Sequence, residues 1–216
     1  YEVTVREWME YLKAVNGPLP WDPKKLEGRL PSITPAKPLL HIRDGNLVLR
    51  LGEPTWPVFG VSYCQIEEYL KWLNQDLPDG LKKRGFSFRL PTIPEWIRAA
   101  RGVDNRLYPW GNYPNPKFCK VLEARKYPAY QEPVAKYNPS FLCDESPFGV
   151  NDMGGSLSEY TCSYKPSGSN KLYAIKGTGW SDSRLVDIEL EWYTSDIISR
   201  VSRGFRICAG LDPLYK

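Results

Sequence analysis

The chain holds one histidine, two methionines and five cysteines among its 216 residues, and each shortage closes a class of chemistry. The single imidazole, His41, cannot build a multi-histidine metal site. It also lies far in sequence from Ser156 and Ser158, which removes the basis for a Ser-His-Asp triad. The cysteines (Cys64, Cys119, Cys143, Cys162 and Cys208) are odd in number and never adopt a CxxC spacing, so a zinc site is not expected and mostly reduced, partly buried thiols are. One disulfide stays open, with no pair indicated. No apolar run approaches the ~20 residues of a membrane span, and no secretory signal is visible in the first residues given. A phosphate-cradling G-x-x-x-x-G-K-[ST] is missing, as is a G-x-G-x-x-G between strand and helix. A net charge of +4 with 25% charged residues is too weak to argue for a nucleic-acid partner.

What the chain has in quantity is aromatic and turn-forming residues: 8 Trp, 14 Tyr and 7 Phe beside 20 Pro and 17 Gly. That balance suits an α+β domain, single and irregular, rich in ordered loops. Three helix starts are written as capping boxes: Thr4 with Glu7, Ser62 with Gln65, and Thr92 with Glu95. Val5, Trp8, Met9, Leu12 and Val15 follow the first at helical spacing, and Gly17-Pro18 stops it. Ile66, Tyr69, Leu70 and Leu73 give the second its apolar face. Strands are expected over Leu47–Leu51, Phe86–Leu90, Leu172–Lys176 and Gly204–Ala209. Residues 18–40 and 111–147 read as ordered loops. No repeat or linker divides the chain, so residues 1–210 form one domain with a tail at 211–216.

Five segments in order carry a family resemblance: YEVTVREWMEYL, WPVFGVSYCQIEEYLKWLN, FRLPTIPEWIRAARG with LYPWGN, FGVNDMGGSLSEYT, and IKGTGW with RGFRICA. Together they resemble the formylglycine-generating, sulfatase-modifying family, a variant of the C-type lectin fold. The resemblance implies that fold across nearly the whole chain. It also implies that residues 1–4 already lie inside the domain, as in a piece cut from a longer chain. Such domains are appended to larger bacterial proteins, serine/threonine protein kinases among them.

The family's oxidases bind copper through two cysteines in the loop after the element matched here by Gly177–Trp180. The matching positions carry Asp182 and Asp187, and hard carboxylates do not replace thiolates on Cu(I). The family's iron-dependent branch needs histidines that this chain lacks. The resemblance does imply a structural Ca²⁺ in the DMGG turn, held by Asp152, the carbonyls of Gly155 and Leu157, and Glu159, a donor set suited to a hard cation. The family's other calcium site has no counterpart.

With copper chemistry discounted, residues 181–203 are expected to form a surface for a protein or small-molecule ligand. Trp180, Asp182, Arg184, Asp187, Trp192, Tyr193 and Arg203 are its candidates, because Trp, Tyr and Arg are enriched at binding hot spots. A non-catalytic binding module is the leading expectation. The alternatives are an enzyme that uses the acidic 182–191 loop and a retroelement-diversified variable binding protein.

Overall fold

The computed structural model describes residues 1–17, 28–34, 37–44, 46–124, 133–134, 144–182, 185, 187–195 and 200–211. Arg184, Cys143 and most of the 211–216 tail lie outside them. All three capping boxes form. Thr4 Oγ1 accepts from the Glu7 amide at 3.3 Å while Glu7 Oε2 accepts from the Thr4 amide at 2.7 Å, which opens α1 (Val5–Asn16). Gly17 closes it at φ 79°, a left-handed geometry that suits glycine. Ser62 and Gln65 open α2 (Tyr63–Leu73) in the same way, and Thr92 and Glu95 open α4 (Ile93–Arg101). A short α3 (Asp79–Lys83) lies between the last two.

The strands are β1 (Ser32–Thr34), β2 (Lys37–Pro38), β3 (Leu40–Arg43), β4 (Asn46–Leu49), β5 (Phe86–Arg89), β6 (Ser158–Ser167), β7 (Asn170–Lys176), β8 (Trp192–Thr194), β9 (Arg203–Phe205) and β10 (Cys208–Leu211). Four form one sheet in the order β8-β7-β6-β9, with β9 parallel to β6 and the other pairs antiparallel. β5 pairs with β10, β3 with β4 and β1 with β2. Two expectations are corrected here. Residues 32–34 and 37–38 pair as strands inside the stretch read as loop. The strand expected over Gly204–Ala209 is two strands, because the chain leaves β6 after Phe205 and joins β5 at Cys208. The long β6 was not anticipated.

The main core lies between α1, α2 and this sheet. Trp8 stacks on Tyr69 at 5.3 Å, and Phe205 meets both edge-on at 6.0 and 5.6 Å. Leu157, Tyr160 and Ile175 carry the same cluster under the sheet. A second cluster of Trp96, Ala100, Met153 and Ile188 joins α4 to the loop ahead of β8. Gly204 lets β9 in: a Cβ there would stand 2.5 Å from the Val58 carbonyl oxygen and 2.4 Å from Leu157 Cδ1. Among the described residues no helix is long and apolar enough to cross a membrane.

Candidate binding cleft

A cavity of about 690 Å³ opens at the β8 side of the sheet, within the range of small-molecule sites. Its walls bring together residues that are distant in sequence. β6 supplies Ser158, β7 supplies Leu172 and Ile175, and β8 supplies Trp192, Tyr193 and Thr194. β9 supplies Arg203, and the loops around them add Asp182, Leu190, Arg200 and Ser202. Trp192 stands at the rim with 53% of its surface exposed. Beside it Lys165 places its ammonium 3.7 Å from the centre of the Tyr193 ring, whose hydroxyl donates to Glu191 at 2.7 Å. Arg203 is buried and donates to Thr194 Oγ1 at 3.0 Å. Ser158 Oγ donates to the Ser202 carbonyl at 3.1 Å.

Of the residues expected in the site, Asp182, Trp192, Tyr193 and Arg203 line this cavity. Trp180 stands behind it, its indole N–H donating to the Val201 carbonyl at 3.0 Å. Asp182 Oδ2 accepts from the Gly179 amide at 2.7 Å, and the Asp182 carbonyl accepts from the Leu122 amide at 3.3 Å. One carboxylate oxygen is therefore spent on shaping its own loop. Asp187 is not among the cleft residues. Its Oδ1 accepts from the amides of Glu189 and Leu190 at 2.9 and 3.0 Å, which closes a turn. The two acids do not converge as an acid–base pair would. Ser158, Leu172, Ile175, Leu190, Thr194 and Ser202 were not expected. They come from β6, β7, β8 and the loop edges, and only the pairing of β7 with β6 and β8 brings these strands together here.

The turn that carries Asp187 is clamped from below. Lys176, fully buried, donates to the carbonyls of Glu189 at 3.0 Å and Leu190 at 2.8 Å. Burial pulls its ammonium down to about 8, partly offset by Glu191 and Asp187. Arg101 pairs with Glu189, and the Ile188 amide donates to the Leu107 carbonyl at 2.9 Å. Lys176→Met is expected to cost about 2–3 kcal/mol and to speed amide exchange across residues 187–191 at least tenfold while α1 stays protected. Hydrogen-exchange mass spectrometry measures both.

No cysteine among the described residues lines the cleft. Cys162 and Cys208 lie near Arg89 at the β5–β10 pair, where Arg89 Nη1 stands 3.2 Å from Cys208 Sγ. Burial pushes the Cys208 thiol up to about 11, so it is a poor thiolate at neutral pH.

The residues matched to calcium do not fit that ion. Asp152 Oδ1 lies 2.8 Å from Lys120 Nζ. Glu159 Oε1 and Oε2 each accept from Arg206 at 2.6 Å, and Oε2 also accepts from the Trp96 indole at 2.7 Å. Calcium takes six to eight oxygens, and here the two carboxylates of the set already hold an ammonium and a guanidinium. Among the described residues no group of three or more His, Cys, Asp or Glu side chains is placed to hold a metal.

The fold recurs in known structures. The structure of PvdO from Pseudomonas aeruginosa superposes with a TM-score of 0.67 at 21% identity, covering 98% of this chain and 78% of that one. CarF superposes at 0.64 and 17% identity, covering 98% and 84%. Treponema denticola variable protein 1 superposes at 0.61 and 17% identity, covering 98% and 82%. Two serine/threonine-protein kinases named pkn1, from Chlamydia pneumoniae and Chlamydia caviae, are 29% and 26% identical over 119 residues. That match takes in 55% of this chain and 15% of either kinase. The model of the sulfatase-modifying factor enzyme 1-like domain matches residues 1–209, so the chain belongs to that family.

Proposed function

We propose that this chain is a non-catalytic binding domain of a larger bacterial protein, of the kind joined to a serine/threonine kinase, and that its ligand is a small molecule or a partner's protruding segment seated in the cleft. One observation carries the reading. At the two positions where the family's oxidases have thiols, Asp182 ties down its own loop and Asp187 caps a turn outside the cleft. The cleft itself is kept open and lined by an exposed Trp192, Tyr193, Arg200 and Arg203. An aromatic plate beside guanidinium groups over a half-apolar floor suits recognition, where few residues carry most of the affinity. The partial match to the chlamydial kinases supports attachment to a longer chain.

Two measurements test this. Incubated with Cu(I) and a cysteine-bearing sulfatase peptide, the protein is expected to leave the thiol unchanged by mass; conversion above a protein-free control overturns the reading. In a fragment screen by ligand-observed NMR, hits are expected to lose at least about tenfold in affinity in Trp192→Ala, as for a hot-spot aromatic. That variant should melt near the parent temperature, since the ring is exposed. Hits indifferent to Trp192→Ala and Arg200→Ala would move the binding surface elsewhere.

A further inference from the structure

We infer that Lys120 is a built-in cation that takes the place of a metal ion in the 152–159 turn, and that this turn therefore folds without calcium. Lys120 is only 1% exposed. Its ammonium donates to the Pro133 carbonyl at 2.9 Å and pairs with Asp152 at 2.8 Å. The rest of the residue is bound to the turn as well. Its carbonyl accepts from the Ser156 amide at 2.9 Å, and a Cβ on Gly155 would stand 2.6 Å from the Lys120 backbone nitrogen.

The turn has the shape of a ligand cage. Asp152 and Ser156 are held at φ 60° and 75°, left-handed conformations uncommon for non-glycine residues. Such geometry persists only where its surroundings enforce it. Here the enforcing charges are side chains. Arg206 satisfies Glu159 and also reaches the carbonyls of Asn151 and Asp152, each at 3.2 Å. Lys120 then meets Asp152, so two cations answer the two carboxylates of the cage one for one. A divalent ion in the same space would sit against an ammonium and a guanidinium that already hold both carboxylates of the matched set.

Removing the lysine should open the cage to a metal. The wild-type melting temperature is expected to move by less than about 1 °C between EDTA and ~5 mM calcium, with no stoichiometric binding heat in calorimetry. Lys120→Ala is expected to melt well below wild type in EDTA and to recover by about 5 °C or more in the same calcium. Adding Asp152→Asn to that variant should abolish the recovery. If Lys120→Ala does not fold in EDTA, folded yield is compared after refolding with and without calcium. Yield confined to the calcium arm supports the inference, and failure in both arms overturns it. It is equally overturned by calcium binding to wild type that Asp152→Asn removes, or by a Lys120→Ala protein that is indifferent to calcium.

Discussion

Arg206→Met is expected to lower the free energy of unfolding by about 3–5 kcal/mol, the range for stripping one partner from a buried ion pair. Arg206 and Glu159 are both buried, at 6% and 0% exposure. The guanidinium meets the carboxylate in a two-pronged contact at 2.6 Å on each side, the geometry that makes such pairs strong and directional. Without Arg206, the buried Glu159 carboxylate keeps the Trp96 indole as a donor but loses its countercharge. The carbonyls of Asn151 and Asp152 would lose a donor in the same step. Most of the cost therefore lies in the orphaned carboxylate and little in the net value of the pair. The double variant Glu159→Gln/Arg206→Met separates the two. It should recover about 2 kcal/mol of the single-variant loss, a coupling typical of groups in direct contact. Urea melts of the four proteins supply the cycle, and a single-variant loss under about 1 kcal/mol would remove this pair from the list of what holds the turn.

The three helices with capping boxes were legible because a cap is local: Thr4 and Glu7, or Thr92 and Glu95, need only each other and one turn of chain. β5 leading into α4 was legible for the same reason. The sheet was less so. β6 opens with four buried residues and ends with four exposed ones, and that run has neither the period of two nor that of a helix. Gly204–Ala209 reads as one strand, but Arg206 turns inward to Glu159 between β9 and β10, and the chain changes sheets around it. Most of the cleft lies within the 181–203 stretch; the part from β6 and β7 needs the strand order. The calcium expectation runs against a long-range fact. Asp152 and Glu159 are visible as a pattern, whereas Lys120 reaches Asp152, and Arg206 reaches Glu159, from separate segments. A buried lysine is the residue a sequence reading most readily assigns to solvent, and Lys120 and Lys176 are both inside.

The same cluster makes stability fall as pH rises through neutrality. The Val3 amide donates to the Phe205 carbonyl at 3.0 Å and the Val3 carbonyl accepts from Val58 at 2.8 Å, so this segment lies against β9. Glu2, completely buried, finds no hydrogen-bond partner for either carboxyl oxygen among the described residues. Burial, then the charges of Asp152 and Glu159, push Glu2 up to about 8. Asp144 accepts from the Gly154 amide at 2.7 Å, but its other oxygen is unpartnered. Burial and Asp152 push it up to about 7. Both groups hold a proton in the folded state that the unfolded chain has already released above its ordinary values of 4.5 and 3.8. Their contribution is therefore fully present below about pH 4 and is lost as pH rises through 7 and 8. Each unit is worth about 1.4 kcal/mol, so the three units between pH 5 and pH 8 lower stability by up to about 4 kcal/mol through Glu2, and Asp144 steepens the fall. Lys176, pulled down to about 8, acts with the opposite slope and only above that pH. Glu95, which the Arg89 hydrogen bonds hold down to about 2, acts only in acid. Stability should thus peak near pH 5. Chemical denaturation at half-unit steps should show a maximum there, with the slope above it reduced by about half in Glu2→Gln and again in the Asp144→Asn double variant. A curve that stays flat from pH 5 to pH 8 would mean that both acids are ionised in the native core.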